Sequence, residues 1–346
     1  MKVSVRQWLG LTLAWVAACG PAFAQDSVAQ FYKGKTVTIV VGTSPGGGYD
    51  LYARLISRAL GKYIPGQPNI NVTNMPGAAS NIAAAHIYNI APKDGTYMGA
   101  IFMGAVVDPL FGEQARPTHD AAKFNYIGNA NQDTHVCLVR SDAKIGGFQD
   151  LFEKEIVVGA TAPGAPTRDF ATILRNVLGI KVKIVPGYPG SREVALALER
   201  GEVQGGCGQT WSSISTTYPA WFKEGLMKVL VQEDVSGHPD LDKQGVPLAA
   251  SFAKTPEQRE ILELFYSQTV FGRPYVVAPE VPKERVEALR NAFTQAMQDP
   301  DLIAEARKLN LDLRPTSGGE MQDKIAKMYA APADMVEKAR RALASK

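Results

Sequence analysis

Apolar and polar positions along the chain alternate between two periods, and they predict strands and helices taking turns. Residues 36–41, Thr-Val-Thr-Ile-Val-Val, form an apolar, β-branched run of strand length. The run breaks into Ser44-Pro45-Gly46-Gly47-Gly48, which no strand or helix interior tolerates. Leu51, Leu55, Ile56, Ala59 and Leu60 then recur at helical spacing until Gly61. The design repeats. Residues 69–73 predict a short strand running into the loop 74–81, and Ile82, Ala85, His86 and Ile90 mark a helix that Ser80 or Asn81 could cap. After the turn Pro92-Lys93-Asp94-Gly95, residues 97–102 predict a third strand.

From about residue 125 the pattern restarts. Residues 136–139 and 156–160 predict strands, and the second leads through the loop 161–167 into a helix over 168–178. Residues 182–185 predict a strand ending at the loop 186–191, where Ser191 is placed to cap a helix over 192–200. Two sets of strand, loop and helix junctions predict an α/β chain of two similar lobes facing each other across a cleft. Each lobe is expected to hold a mixed, mostly parallel sheet flanked by helices. Further along, residues 227–232 predict a strand returning to the first lobe, 256–266 a helix and 275–279 a strand. Val286, Leu289, Phe293 and Met297 form the apolar stripe of a helix starting near Pro282, with further helices at 301–309 and 319–344. The expected lobes are residues 25–130 plus 229–346 and residues 131–228, with the hinge near 136–139 and 227–232.

The loop 43–48 has a chemistry of its own. The first N–H groups of a helix have no intrahelical partner, and the helix dipole adds partial positive charge there. Glycines let a ligand approach that backbone, so strand, glycine loop and helix start together suit an anion. A tight βα connection whose glycines only permit the turn fits the same residues.

Charge and cysteines narrow the class. Lys2 and Arg6, the apolar residues 8–18 and Ala22-Phe23-Ala24 read as an export signal over residues 1–24, cleaved before Gln25; Val16-Ala17-Ala18-Cys19 offers a lipidated Cys19 as the alternative. Cleavage removes two of the 37 basic residues and none of the 34 acidic ones, so the exported chain is nearly neutral and carries no Lys/Arg block for nucleic acid. Cys137 and Cys207 are then the remaining cysteines, open to a disulfide in an oxidising compartment or to two separate buried thiols. The histidines His86, His119, His135 and His238 lack metal-ligand spacing, and neither a G-x-S-x-G elbow nor a Gly-Lys-Ser/Thr P-loop is present. Leu51 stands where a dinucleotide fingerprint starting at Gly46 needs glycine. Neither an enzyme nor a cofactor is expected.

The ordered short motifs carry a resemblance. Pro-Gly-Gly-Gly-x-Asp-x-x-Ala-Arg at residues 45–54 is followed by Asn-x-Pro-Gly-Ala at 74–78, then Pro92-Lys93-Asp94-Gly95-Thr96, Gly201-Glu202-Val203 and Ala278-Pro279-Glu280-Val281-Pro282. In this order they resemble the Bug-type periplasmic solute-binding receptors of tripartite tricarboxylate transporters, over essentially the whole exported chain. The resemblance implies a type II, Venus-flytrap binding-protein fold, a periplasmic location, a small organic carboxylate as ligand and a membrane permease as partner, with the receptor acting as a monomer. The same fold presenting its closed form to a sensor kinase is the alternative. By position, the resemblance implies first-lobe ligand contacts at Thr43, Ser44, Gly46, Gly47, Gly48, Gly77, Ala78, Ala79, Ser80 and Asn81. Second-lobe contacts would be Thr161, Gly164, Thr167, Tyr188, Gly190, Ser191 and Gln209. The chain departs from the family pattern at Gly42-Thr43-Ser44, at Met75 and at Gln209, where an aromatic, an arginine and an acidic residue are usual. Glutamine in place of an acid relaxes repulsion toward a second carboxylate, which favours a di- or tricarboxylate and leaves a polar or aromatic monocarboxylate open. Asp50 is expected to brace its loop, and Arg54 to pair with an acidic neighbour.

Overall fold

A computed structural model describes residues 21–111 and 118–344, with only the backbone of residues 21–26 and 108. Residues 1–20 of the expected leader, Cys19 among them, lie outside the described residues.

The first part of the chain runs α1 (Pro21–Tyr32), β1 (Thr36–Val41), α2 (Gly48–Tyr63), β2 (Asn69–Asn74), α3 (Asn81–Asn89), β3 (Tyr97–Ala100), α4 (Met103–Phe111) and β4 (Asn125–Asn129). The second comprises β5 (His135–Arg140), β6 (Ile156–Gly159), α5 (Pro166–Ile173), β7 (Val182–Val185), α6 (Ser191–Arg200), β8 (Gly205–Thr210), α7 (Trp211–Thr217), α8 (Pro219–Lys223) and β9 (Met227–Glu233). Then follow α9 (Pro239–Lys243), α10 (Pro256–Tyr266), β10 (Pro274–Val277), α11 (Lys283–Ala296), α12 (Pro300–Lys308), β11 (Thr316–Ser317), α13 (Gly318–Tyr329) and α14 (Ala333–Leu343). The strands form a six-stranded sheet in the order β11-β4-β10-β3-β1-β2 and a five-stranded sheet in the order β7-β6-β8-β5-β9.

Both sheets are mixed, with a smaller parallel share than expected. Pairs β1–β2, β1–β3, β6–β7 and β6–β8 are parallel, whereas β10 and β5 are antiparallel to each of their neighbours. The reason is where the chain enters. The βα strands end at one edge of each sheet; β5 and β10 arrive by crossover from the other sheet, start at that same edge and so run the opposite way.

Apolar faces hold the layers together. Ile39 of β1 packs with Tyr52, Leu55 and Ile56 of α2 and Leu289 and Phe293 of α11. The other face of the first sheet, under α3, α4 and α13, shares one continuous core with the α5 face of the second sheet by way of α10 and α14; Val40, Ile87, Phe170, Phe265 and Leu343 belong to it. Val136 and Leu138 pack beneath α6, α7 and α8 with Leu198, Trp211 and Trp221.

Two expectations are corrected, and one strand is added. The strand at 227–232 belongs to the second sheet, since β9 pairs with β5 from Met227 to Glu233; a lobe boundary at 228/229 would cut it. β8 was not foreseen, because Gly205-Gly206-Cys207-Gly208 reads as a loop. At Gly208, φ is +64° and an added Cβ would lie 2.1 Å from the Pro166 carbonyl oxygen, so close approach of the α5 loop requires glycine there. The helix expected over 319–344 is two helices, because Pro332 lacks the N–H that would continue the first.

Candidate functional site

The loop-to-helix junctions of both sheets lie at facing edges. β1, β2 and β3 end beneath the starts of α2, α3 and α4, and β6, β7 and β8 beneath the starts of α5, α6 and α7. The edges touch at two glycines, among other points. A Cβ at Gly104 would sit 2.4 Å from the Gly164 carbonyl oxygen, and one at Gly48 would sit 3.2 Å from Ser213 Oγ. The structure thus brings the loops 43–48 and 77–81 on one side toward 161–167 and the start of α7 on the other.

Motif residues brace the first pair of loops. Asp50 is buried and accepts the Gly46 N–H at 2.9 Å, the Arg54 Nε–H at 2.9 Å and an Asn74 amide hydrogen at 2.9 Å. Asn74 also donates to the Thr43 carbonyl, and Arg54 to the Asn74 side-chain oxygen. Burial works against the Asp50 charge, but the bonds from Arg54, Gly46 and Asn74 outweigh it and hold the carboxyl below its usual range. Asp50 and Arg54 therefore do the bracing and pairing expected of them, leaving Ser44 and Gly47 exposed.

The second loop is strained. Gly77, Ala78, Ala79 and Ser80 have φ of +131°, +44°, +50° and +72°, so three successive non-glycine residues sit in the left-handed region, at roughly 1–3 kcal/mol each. Ser80 occupies the N-cap position of α3, yet its hydroxyl makes no capping bond; it donates to the Gly42 carbonyl at 2.9 Å. Ser191 likewise is not a cap. It is the first residue of α6, and Gly190 holds the N-cap position.

Helix starts differ by location. α2, α3, α5, α6 and α7, at the facing edges, begin at Gly47, Ser80, Ala165, Gly190 and Thr210 with no side-chain cap. Elsewhere α9, α10, α12 and α13 are capped by His238, Thr255, Asp299 and Ser317; α8, α11 and α14, which follow Tyr218, Pro282 and Pro332, are not.

The remaining second-lobe residues divide. Thr161 and Thr167 share a hydroxyl–hydroxyl bond of 2.7 Å, and the Thr161 N–H donates to Thr167 Oγ1, which ties the 161–167 loop to α5. Tyr188 is half-buried, its ring over Gly159. Gln209, near the end of β8, folds its side chain over Gly206 beside Leu198, 2% exposed, with Nε2 unpartnered, because the register shift around Gly208 turns it toward α6. Cys137 and Cys207 are joined as a disulfide across β5 and β8.

Sequence reading missed the polar residues of the crossovers. Residues 130–134 and 267–273 run side by side: Asp133 N–H donates to the Thr269 carbonyl, Ala130 N–H to the Arg273 carbonyl, and Thr134 and Thr269 hydroxyls both donate to Asp234. These segments, not the paired strands β5 and β9, join the two sheets. Arg273 and Asp133 form an ion pair of 2.9 Å, 3% and 1% exposed. Burial pushes the Glu233 carboxyl up to about 8, partly opposed by the Gly208 N–H it accepts at 2.6 Å. Burial, aided by Arg273, pushes His135 down to about 4. An arginine directly before an apolar strand, as at Arg273, was the one available signal.

Among the described residues no group of His, Cys, Asp and Glu could hold a metal ion, and no helix is long and apolar enough to cross a membrane.

Two α/β lobes joined by paired crossovers, with open helix starts across the gap, define a periplasmic-binding-protein fold. A TctC solute binding protein from Polaromonas shares it (19% identity, TM-score 0.62, covering 89% of this chain and 99% of that one). So do the periplasmic binding protein BugD (18%, 0.66, 89% and 98%) and R. palustris Rpa4515 with adipate (20%, 0.67, 89% and 97%). In sequence, the UPF0065 protein in the TAR-I ttuE-ttuC' intergenic region of Agrobacterium vitis is 29% identical over 206 residues, 57% of this chain and 55% of that one. The chain thus spans about half the length of the curated relative it matches. No family model matches it. The chain is similar to Bug-type receptors in sequence and fold, as its loop motifs indicate.

Proposed function

We propose that the protein is an exported solute receptor that captures a small organic carboxylate between its lobes and delivers it to the permease of a tripartite tricarboxylate-type transporter. It acts as a periplasmic monomer and performs no chemistry on the ligand. One observation carries the reading: among the described residues, five uncapped helix starts, those of α2 and α3 from one lobe and α5, α6 and α7 from the other, lie at facing edges. Their N–H groups can replace the water around an anion, and the helix dipoles favour negative charge there. Because each lobe supplies such groups, a carboxylate at each end of the ligand is matched, which favours a di- or tricarboxylate. Rpa4515, a structural neighbour, holds adipate. A ligand that prefers the closed form shifts the open–closed equilibrium by that preference, which is all a receptor needs.

A thermal-shift panel of adipate, malate, tricarballylate, amino acids and sugars tests the reading. A ligand bound only by the folded state raises the melting temperature. A shift with a carboxylate and none with its diamide is expected; shifts with sugars or amino acids alone would overturn it.

A further inference from the structure

Two adjacent serines of the second lobe sit on the ion pair of the crossovers. Ser212 Oγ donates to both Asp133 carboxylate oxygens at 3.0 Å, and Ser213 Oγ accepts from Arg273 Nη2 at 3.4 Å. Both serines belong to α7, which follows β8 of the second sheet, whereas Arg273 leads into β10 of the first. The guanidinium reaches further. It lies over the rings of Tyr49 at 4.4 Å and Tyr52 at 5.1 Å, and its Nη2 is 3.2 Å from where a Cβ on Gly48 would be. Gly48 and Tyr49 are the first two residues of α2. One cation therefore touches the start of a first-lobe helix, a crossover carboxylate and a second-lobe helix at once.

We propose that Arg273 is a positioning residue that couples lobe closure to the α2 start, with Ser212 and Ser213 as the latch that engages it on closing. This rests on the carboxylate-receptor reading. A planar fork with several donors in fixed geometry can hold Asp133, Ser213 and the Tyr49 ring together; a lysine cannot. Asp133 compensates the buried charge, so the pair can stay in place while α7 comes and goes. When α7 docks, its hydroxyls add a hydrogen bond to each ion and the α2 start is fixed. When the lobes part, the hydroxyls return to water at little cost, and the ion pair remains with the crossovers.

The test compares adipate binding by calorimetry with the ligand-free melting temperature for the wild type, Ser212→Ala/Ser213→Ala, Ser212→Thr/Ser213→Thr and Arg273→Lys. Hydrogen bonds to charged groups imply that the double alanine variant binds adipate about ten- to hundredfold more weakly. Its ligand-free melting temperature should stay at the wild-type value, because the open protein does not use the latch. The double threonine variant should regain most of the affinity, and Arg273→Lys should lose affinity as the alanine variant does. Wild-type affinity in the alanine variant or in Arg273→Lys overturns the proposal. So does a fall in ligand-free melting temperature that accounts for the lost affinity, which would make the contact merely structural. A wild type that binds neither adipate nor any other carboxylate overturns the receptor reading, and the latch with it.

Discussion

The Ser80 hydroxyl donates to the carbonyl of Gly42 at 2.9 Å, so the exit of β1 is tied to the strained turn before α3. A Cβ on Gly42 would lie 2.2 Å from Ser80 Oγ. Gly42→Ala must therefore displace Ser80, and with it the left-handed turn 77–80, whereas Ser80→Ala removes one bond and leaves the space. Urea unfolding should show a loss of about 1–3 kcal/mol for Gly42→Ala and about 1 kcal/mol for Ser80→Ala. Equal losses would mean that the turn is not held by this contact.

Asp50→Asn tests the brace. The variant puts an amide where Gly46, Arg54 and Asn74 all donate, so a loss of about 1–3 kcal/mol at neutral pH is expected. The wild-type carboxyl is held below its usual range, so its contribution is present above the unfolded value of 3.8 and is lost as pH falls through the folded one. The gap between wild type and variant, followed by chemical denaturation, should therefore close on the acid side. A gap constant down to pH 2 would assign it to packing alone.

Glu233 and His135 pull stability in opposite directions with pH. Glu233 keeps its proton in the fold up to about 8 but releases it near 4.5 when unfolded, so its contribution is full below 4.5 and is lost as pH rises. His135 stays neutral in the fold down to about 4 but takes a proton near 6.5 when unfolded, so its contribution is full above 6.5 and is lost as pH falls. The two slopes cancel between 4.5 and 6.5. From 6.5 to 8 the Glu233 slope stands alone, at about 1.4 kcal/mol per pH unit. Glu233→Gln keeps an acceptor for Gly208 and should flatten that limb in pH-dependent unfolding; parallel curves for the two proteins would exclude Glu233 as its source.

What the chain disclosed in advance follows from where the signal is local. β1, the glycine loop and α2 are contiguous, so periodicity and turn residues were enough, and Asp50 was placed correctly because i, i+4 pairing is a local rule. The burial of Gln209 was not legible because it depends on a register shift inside a glycine-rich strand, which no periodicity reveals. Asp133 and Arg273 are 140 positions apart in the sequence and meet only because two crossovers run side by side. No window of sequence contains that pair, and neither residue has a motif. Ser212 and Ser213 carry no sequence signal for the same reason.

Gly47 separates the two readings of the first loop that sequence alone left open. Its φ is −80° and ψ 168°, values that any residue adopts, and an added Cβ would find only the Ser44 carbonyl oxygen, at 3.6 Å. Folding therefore does not require glycine here. As the N-cap of α2, however, Gly47 borders the N–H groups of the first turn, and a side chain there would project into the space an anion must enter. Gly47→Leu should cost at most about 1 kcal/mol in unfolding, the scale of a changed N-cap, while adipate affinity falls at least about tenfold. If the variant folds and still binds as the wild type does, the glycines serve the turn alone and the carboxylate must be held elsewhere. If it binds less well but is destabilised by several kcal/mol, the loop is a structural element whose loss of binding is secondary. Only lost binding with retained stability marks Gly47 as the point of closest approach between backbone and ligand.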